Sequence, residues 1–331
     1  MIKVLTYNQI DQAQWQALVN QSPTATWFQT PEAYQFYASV AEMTPFAYGI
    51  ERDGVLKCMV CGYITKDRCG IKHFFTCRAI IVGGPLLTDK TTEDDLQQLL
   101  LIVKKELQSR VIYVECRNLH DYSSWHHVFE ANGFCYQPHL NIHVVCNATH
   151  SMSEQRVRQV RKALKNGVEI CQAQSEEDIK TWYHILQQLY RTKVRTPLWS
   201  EEFFLQFYRK GVGKYLLVKH RGKVIGGMMC PVLNDKTIYE WYVCGLDEEY
   251  RDLYPSVVAT YAAIEYAKEH GLKLFDFMGA GKPDIPYGVR DFKMEFGGEL
   301  VEHGRYLHVR KPLLYKIGKW GVKILKSGKI W

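Results

Sequence analysis

The sequence has no apolar run long enough to cross a bilayer. Its longest membrane-like stretch, Ala79–Leu87, is interrupted by Gly83, Gly84 and Pro85 and falls far short of the ~20 residues a spanning helix needs. An export signal is missing too: the opening Met1-Ile2-Lys3-Val4-Leu5-Thr6-Tyr7 leads to an acid at Asp11 without a long apolar core, so a cytoplasmic protein is expected. Ten cysteines are present, yet the single Cys-x-x-Cys, Cys58 to Cys61, has no second pair at zinc-ligand spacing. No metal site is therefore expected, and the thiols are read as reduced core residues. With 47% hydrophobic and 23% charged residues, the chain is not a largely disordered one.

What is present is enough for two domains, since 331 residues exceed the roughly 100–200 of one typical domain. Charge divides unevenly between the halves. Residues 1–150 carry 12 basic and 14 acidic side chains, and the remainder carry 30 and 21. An anionic partner would accordingly be met mainly by the C-terminal half. Aromatic residues make up 13% of the chain, with 21 tyrosines, which suits grooves that are apolar on one side and wet on the other.

Two successive α/β patterns follow one another. The first has a strand at 2–7, helices near 11–20 and 31–41, and a hairpin of 46–51 with 55–64 around Arg52-Asp53-Gly54. A helix over 92–108 then places Leu96, Leu99, Leu100, Val103 and Leu107 at helical spacing. Strands at 111–115 and up to Val145, with a short helix between, complete it. The second repeats that grammar: a strand at 168–172, helices over 177–191 and 201–208, and a meander of 214–219, 224–231 and 237–243. A helix over 257–269, stopped by His270-Gly271, leads to a buried strand at 272–278. The expected domains are 1–150 and 151–310, with a tail at 311–331.

Three segments carry chemistry. In the helix from Gln155 to Gly167, Arg158, Arg161 and Lys165 fall on one stripe, a row of cations able to grip phosphate oxygens as well as to solvate a surface. The strand Phe275-Asp276-Phe277-Met278 runs into Gly279-Ala280-Gly281, where backbone can approach a ligand closely. A short helix then carries Phe292-Lys293 between aromatic neighbours. Such neighbours can hold the lysine stem and aim its ammonium into a cleft, where a fixed cation can stabilise an acyl-transfer oxyanion.

Taken together, Asp276-Phe277-Met278-Gly279, the Tyr287-Gly288-Val289 turn, Phe292-Lys293 with Phe296-Gly297-Gly298, and the Arg158-to-Gly167 helix resemble the Fem-type peptidoglycan aminoacyltransferases. The helix from Tyr254-Pro255 to Gly271, leading into Leu274-Phe275-Asp276, is similar in the same order, as is Trp27-Phe28-Gln29-Thr30-Pro31-Glu32 in the first half. The resemblance implies a mixed-sheet α/β fold of two tandem GNAT-like N-acyltransferase domains. It further implies amide formation on an amine of a cell-envelope precursor, nucleotide- or lipid-linked, with aminoacyl-tRNA as donor and no bound cofactor. On that resemblance Lys293 and Phe292 sit near the reacting carbonyl, and Arg158 or Arg161 holds phosphate, with Lys165 beside them. Tyr239, Trp241, Tyr242, Asp276 and Tyr287 are the candidate cleft residues, Asp276 and Glu240 the candidate bases. Where relatives have an Arg-Gly-Pro turn and a nearby Asp, this chain reads Gly83-Gly84-Pro85-Leu86-Leu87-Thr88-Asp89, without the arginine and with the acid displaced.

Standard GNAT enzymes hold the CoA diphosphate on a glycine-rich turn at a helix N-terminus. The corresponding stretch, Glu249-Tyr250-Arg251-Asp252-Leu253-Tyr254-Pro255-Ser256, contains no glycine and loses an N–H at Pro255. Two other readings stand beside aminoacyl transfer from tRNA: an acyl-CoA- or acyl-carrier-dependent N-acyltransferase acting on a sugar or lipid amine, and a non-catalytic GNAT pair that binds nucleic acid.

After Glu302 no acid occurs. At 100° per residue, Leu313, Ile317, Trp320 and Ile324 form a stripe flanked by Lys316, Lys319, Lys323 and Lys326, a basic amphipathic helix. It is suited either to lie on an anionic membrane, with Trp320 and Trp331 at the interface, or to pack on the protein's own surface.

Overall fold

The structure is a computed structural model and describes residues 2–65, 77–147 and 149–327, with side chains described as far as Trp320. Two compact units divide it: Met1–His139 with Glu302–Trp331, and Leu140–Val301.

The first unit is built on β1 (Ile2–Thr6), β2 (Met43–Arg52), β3 (Val55–Thr65), β4 (Arg78–Val82), β5 (Tyr113–Arg117) and β6 (Cys135–Gln137). A later strand, β15 (Arg305–Val309), enters between β5 and β6, giving the order β1-β2-β3-β4-β5-β15-β6. Every described neighbour pair is antiparallel except β4 with β5. The β2–β3 hairpin turns at Asp53 and Gly54, both with positive φ, as a right-twisted two-residue turn requires. The helix Glu93–Leu107 buries the five residues its spacing predicts, Leu96, Leu99, Leu100, Val103 and Leu107. At roughly 2 kcal/mol for each such side chain, the stripe contributes on the order of 10 kcal/mol of gross burial.

The second unit uses β7 (Leu140–Val145), β8 (Val168–Gln172), β9 (Gly213–His220), β10 (Lys223–Leu233), β11 (Thr237–Tyr239), β12 (Tyr242–Gly245), β13 (Leu274–Asp276) and β14 (Glu299–Glu302). Their order is β14-β7-β13-β11-β10-β9-β8, with β12 also on β10. Here β11 and β13 are the parallel pair. The helix Pro255–Glu269 joins the two and lies on the sheet through Val257, Val258, Ala259, Ala263, Ile264 and Ala267. Small residues let it approach closely.

The units part at 139/140 and 301/302, whereas the sequence pointed to 150 and 310. Strand pairing is the reason: β7 is held by β13, with His143 opposite Asp276, and β15 by β5, with Arg305 opposite Arg117. The tail belongs to the first unit as the helix Pro312–Ser327. Cys58, Cys61, Cys116, Cys230 and Cys244 are buried, and the described cysteines form no disulfide.

Candidate active site

The strand expected over 237–243 is two strands. β11 pairs with both β10 and β13, but after Tyr239 the ladder breaks. Glu240 N–H makes a last bond to Asp276 O at 2.9 Å, Trp241 N–H turns to Met229 O at 3.2 Å, and β12 continues on β10 alone, with Tyr242 opposite Met229. Since β13 ends at Asp276, the two parallel strands splay and a wedge opens between them.

Lys293 fills that wedge from the short helix Gly288–Met294. Its Nζ donates to Phe277 O and Gly279 O, each at 2.9 Å, and lies 2.9 Å from Glu240 Oε1. An ammonium has three donors, and three acceptors surround this one, with the Phe277 ring 5.1 Å away. Both members of the ion pair are buried. Burial pushes the Glu240 carboxyl above its usual range, against the opposing pull of Lys293. The backbone they hold is unusual: Met278 has φ of 55°, a conformation costly for a residue with a Cβ and kept only where the surroundings enforce it.

Asp276 supplies the other half of that enforcement. Its Oδ1 accepts from Met278 N–H at 2.6 Å and from Asn141 Nδ2 at 2.7 Å, and its Oδ2 lies 3.2 Å from His143 Nε2. Burial pushes the carboxyl up, but the bonds from His143, Asn141 and Met278 outweigh it and hold Asp276 below its usual value. Burial likewise pulls His143 down, and Asp276 overrides it, leaving the imidazole above its usual value. Asp276 and Glu240, the carboxylates considered as bases, are thus both engaged, with His143 and Lys293.

Phe292 carries the Arg156 guanidinium 4.4 Å above its ring. Arg156 also bonds Gln159 and Glu295, so this buried arginine docks the basic helix Glu154–Lys165. Arg158, Arg161 and Lys165 on the same helix are exposed; Arg158 lies 3.9 Å from Glu154. Lys162, in contrast, is tied to Asp252. The cation stripe therefore exists as the sequence spacing predicts, at a solvent-facing helix surface.

The aromatic candidates separate. Tyr239, expected to line a cleft, is fully buried because β11 is flanked by strands on both sides. Trp241 packs edge-on against Phe203 and Phe207, and Tyr242 against Phe203 and Phe204, which places both beside the helix Glu201–Lys210. Tyr287 is exposed at the start of the Lys293 helix and sits over Gly281, where a Cβ would come within 2.9 Å of its ring. Arg290 pins the same loop by donating to the carbonyls of Ala280, Lys282 and Ile285. Sequence reading missed Asn141 and His143, whose roles depend on pairing across distant strands, and Arg290, whose partners lie in the loop just before its own helix.

The start of the helix Pro255–Glu269 is closed from within. Asp247 Oδ1 accepts from Ser256 N–H at 3.0 Å and Oδ2 from Ser256 Oγ. Tyr254 takes a left-handed conformation, with φ of 48°, and Pro255 has no N–H to offer. Gly245 packs directly below, since a Cβ there would lie 2.7 Å from Ser256 N. The neighbouring cleft, lined by Ile185, Gln188, Thr192, Lys193, Leu246 and Asp247, measures about 90 Å³, well under the roughly 300 Å³ at which small-molecule pockets begin.

Residues 152–294 match the family described as an acetyltransferase (GNAT) domain, a span inside the second unit. The fold also recurs in solved structures. FemX superposes with a TM-score of 0.73 at 16% identity, covering 95% of this chain and 99% of that one. The fold is a tandem GNAT pair. L-PGS from Bacillus licheniformis gives 0.59 at 12% identity, covering 93% and 96%. A tandem GNAT protein from the clavulanic acid biosynthesis pathway gives 0.56 at 10%, covering 94% and 99%. No curated protein matches this tandem GNAT chain by sequence. Its second unit is an acyltransferase domain, and the chain is an enzyme of the acyl-transferring class.

Proposed function

We propose that this tandem GNAT enzyme forms an amide on an amine of a cell-envelope precursor, taking the acyl group from aminoacyl-tRNA rather than from CoA. The observation that carries the choice of donor is Asp247 on the Ser256 N–H and hydroxyl. A diphosphate needs unengaged N–H groups and the positive end of a helix dipole. Here a carboxylate of the chain itself holds that end, and a proline has removed another donor. Aminoacyl-tRNA needs no such cradle. The fold likeness to FemX supports the same direction.

In this reading the acceptor amine attacks the aminoacyl ester carbon, the new C–N bond forms, and the ester C–O bond breaks. The electron pair leaves on the ribose oxygen of the tRNA, and the amine proton goes to that oxygen through substrate or water. Lys293 would turn one of its three bonds from a carbonyl to the oxyanion while Glu240 keeps it charged and in place. Asp276 and His143 hold the Met278 bend that presents those carbonyls. Arg158, Arg161 and Lys165 would receive the phosphates of the precursor.

The second reading, CoA-dependent acylation, is favoured by the acetyltransferase description of the matching family. Mass spectrometry of a UDP-linked muropeptide incubated with the full chain separates the two. An added aminoacyl mass with charged tRNA, and no acyl mass with a panel of acyl-CoAs, is the expected result. Product formed from acyl-CoA alone overturns the proposal.

A further inference from the structure

Over its described side chains the tail helix Pro312–Ser327 presents two apolar faces, one of them covered by the first unit and the other exposed. Arg310 N–H and Lys311 N–H both bond Ile112 O, anchoring its start. Tyr315 then meets Tyr113 edge-on, with centroids 5.2 Å apart, and Leu314 is half-buried on the same side. The stripe noted in the sequence points elsewhere: Leu313 is 77% exposed, Ile317 52% and Trp320 68%. Packing on the protein's own surface therefore does not account for it. Ile324, Lys323 and Lys326 continue the pattern in sequence, though their side chains, like Trp331, lie outside the described residues.

We propose that this outward face docks on an anionic lipid bilayer. Charge complementarity selects that occupant. From His303 to Trp331 the chain has eight lysines and arginines and no acid, a composition that attracts an anionic leaflet. Lys316 and Lys319 are exposed beside the stripe, where their stems can lie along the acyl boundary while the ammonium groups reach headgroups. Lys319 already lies over the Tyr315 ring at 5.4 Å, on the flank rather than across the apolar face. Gly318 and Gly321 weaken the helix in water, which suits a segment completed by a surface. Docking does not depend on which acyl donor the enzyme uses.

The test is co-sedimentation of the full chain with vesicles of phosphatidylglycerol and phosphatidylcholine, against phosphatidylcholine alone. Preference for the anionic vesicles by about 30-fold or more at low salt, shrinking as ionic strength rises, is expected from several lysines acting together. Ile317→Asp with Trp320→Ser should abolish it, and Lys316→Gln with Lys319→Gln should reduce it, both with unchanged thermal unfolding. Equal binding by the stripe variant, or no binding by the natural chain, overturns the proposal. So does a concentration-dependent dimer that the stripe variant dissolves without any vesicle binding, because a second copy would then be the occupant.

Discussion

Replacing Lys293 by methionine, nearly isosteric though one atom shorter, removes the charge, and loss of one preorganised oxyanion donor should slow transfer by about 100-fold or more. The structure adds a cost in stability. Methionine leaves the carbonyls of Phe277 and Gly279 and the carboxylate of Glu240 without the group they share. Removing one member of a buried ion pair costs about 3–5 kcal/mol, a large part of the roughly 5–15 kcal/mol that stabilises a domain. The loss should also depend on pH. Burial already raises Glu240 above its usual range, and without the cation it rises further. A carboxyl raised on folding costs nothing below its unfolded pKa of ~4.3, and its penalty grows as pH climbs toward the folded value. Lys293→Met should therefore lie closest to the natural chain near pH 4 and furthest from it near pH 8. Adding Glu240→Gln should recover part of the neutral-pH loss. Urea unfolding across that range measures it, and hydrogen exchange over residues 274–296 localises it. A deficit that ignores pH, or one below about 1 kcal/mol at pH 8, would refute this account of the wedge.

Three other outcomes follow from named contacts. Arg158→Ala with Arg161→Ala should leave thermal unfolding unchanged, because both side chains are exposed, and should weaken binding of a diphosphate-bearing acceptor less at high salt than at low; equal affinity for a phosphate-free analogue counts against the assignment. Asp247→Ala should cost about 1 kcal/mol through loss of the cap on Ser256, measured by urea midpoint. His143→Gln should destabilise the chain most below pH ~6.5 and progressively less as pH rises through the elevated folded value, since a histidine raised by Asp276 contributes only while protonated; a constant difference from pH 5 to 9 would contradict the ion pair.

Much of the fold was legible because its signals are local. The stripe from Leu96 to Leu107, the Asp53-Gly54 turn and the glycine stop at Gly271 each act within a few residues. The candidate site was legible only in part. Phe292-Lys293 and Asp276 stand out as a sequence pattern, but the partners that define them are remote: Glu240 is 53 positions from Lys293 and Asn141 is 135 from Asp276. Pairing between distant strands leaves no periodic trace in a single sequence. The break at Glu240 and Trp241 was invisible for a different reason, since both halves of that segment are equally strand-forming. Similarly, the stripe Arg158, Arg161, Lys165 could be read from spacing, whereas the docking role of Arg156 on Phe292 could not.

The same break occurs in both units, and what fills it differs. In the first, β4 pairs with β5 as far as Val82 opposite Arg117. The chain then turns at Gly83 and Gly84, both with positive φ, and rejoins β3 alone through Leu86 opposite Met59, as β12 rejoins β10. That opening holds neutral groups. The Tyr122 hydroxyl lies 2.7 Å from Gly83 O and 2.6 Å from Pro85 O, and Gln29 Nε2 donates to Gly84 O at 2.8 Å. Because Tyr122 is buried and its hydroxyl meets the carbonyls of Gly83 and Pro85, it holds the turn without offering charge to a reacting carbonyl. Tyr122→Phe should consequently lower stability by about 1 kcal/mol with no pH dependence between 5 and 8, and should leave the rate constant of transfer unchanged at saturating substrates. Lys293→Met should lower both. A Tyr122→Phe enzyme slowed as much as Lys293→Met would mean that the first opening takes part in the chemistry, and that the charged wedge is not what sets the second unit apart.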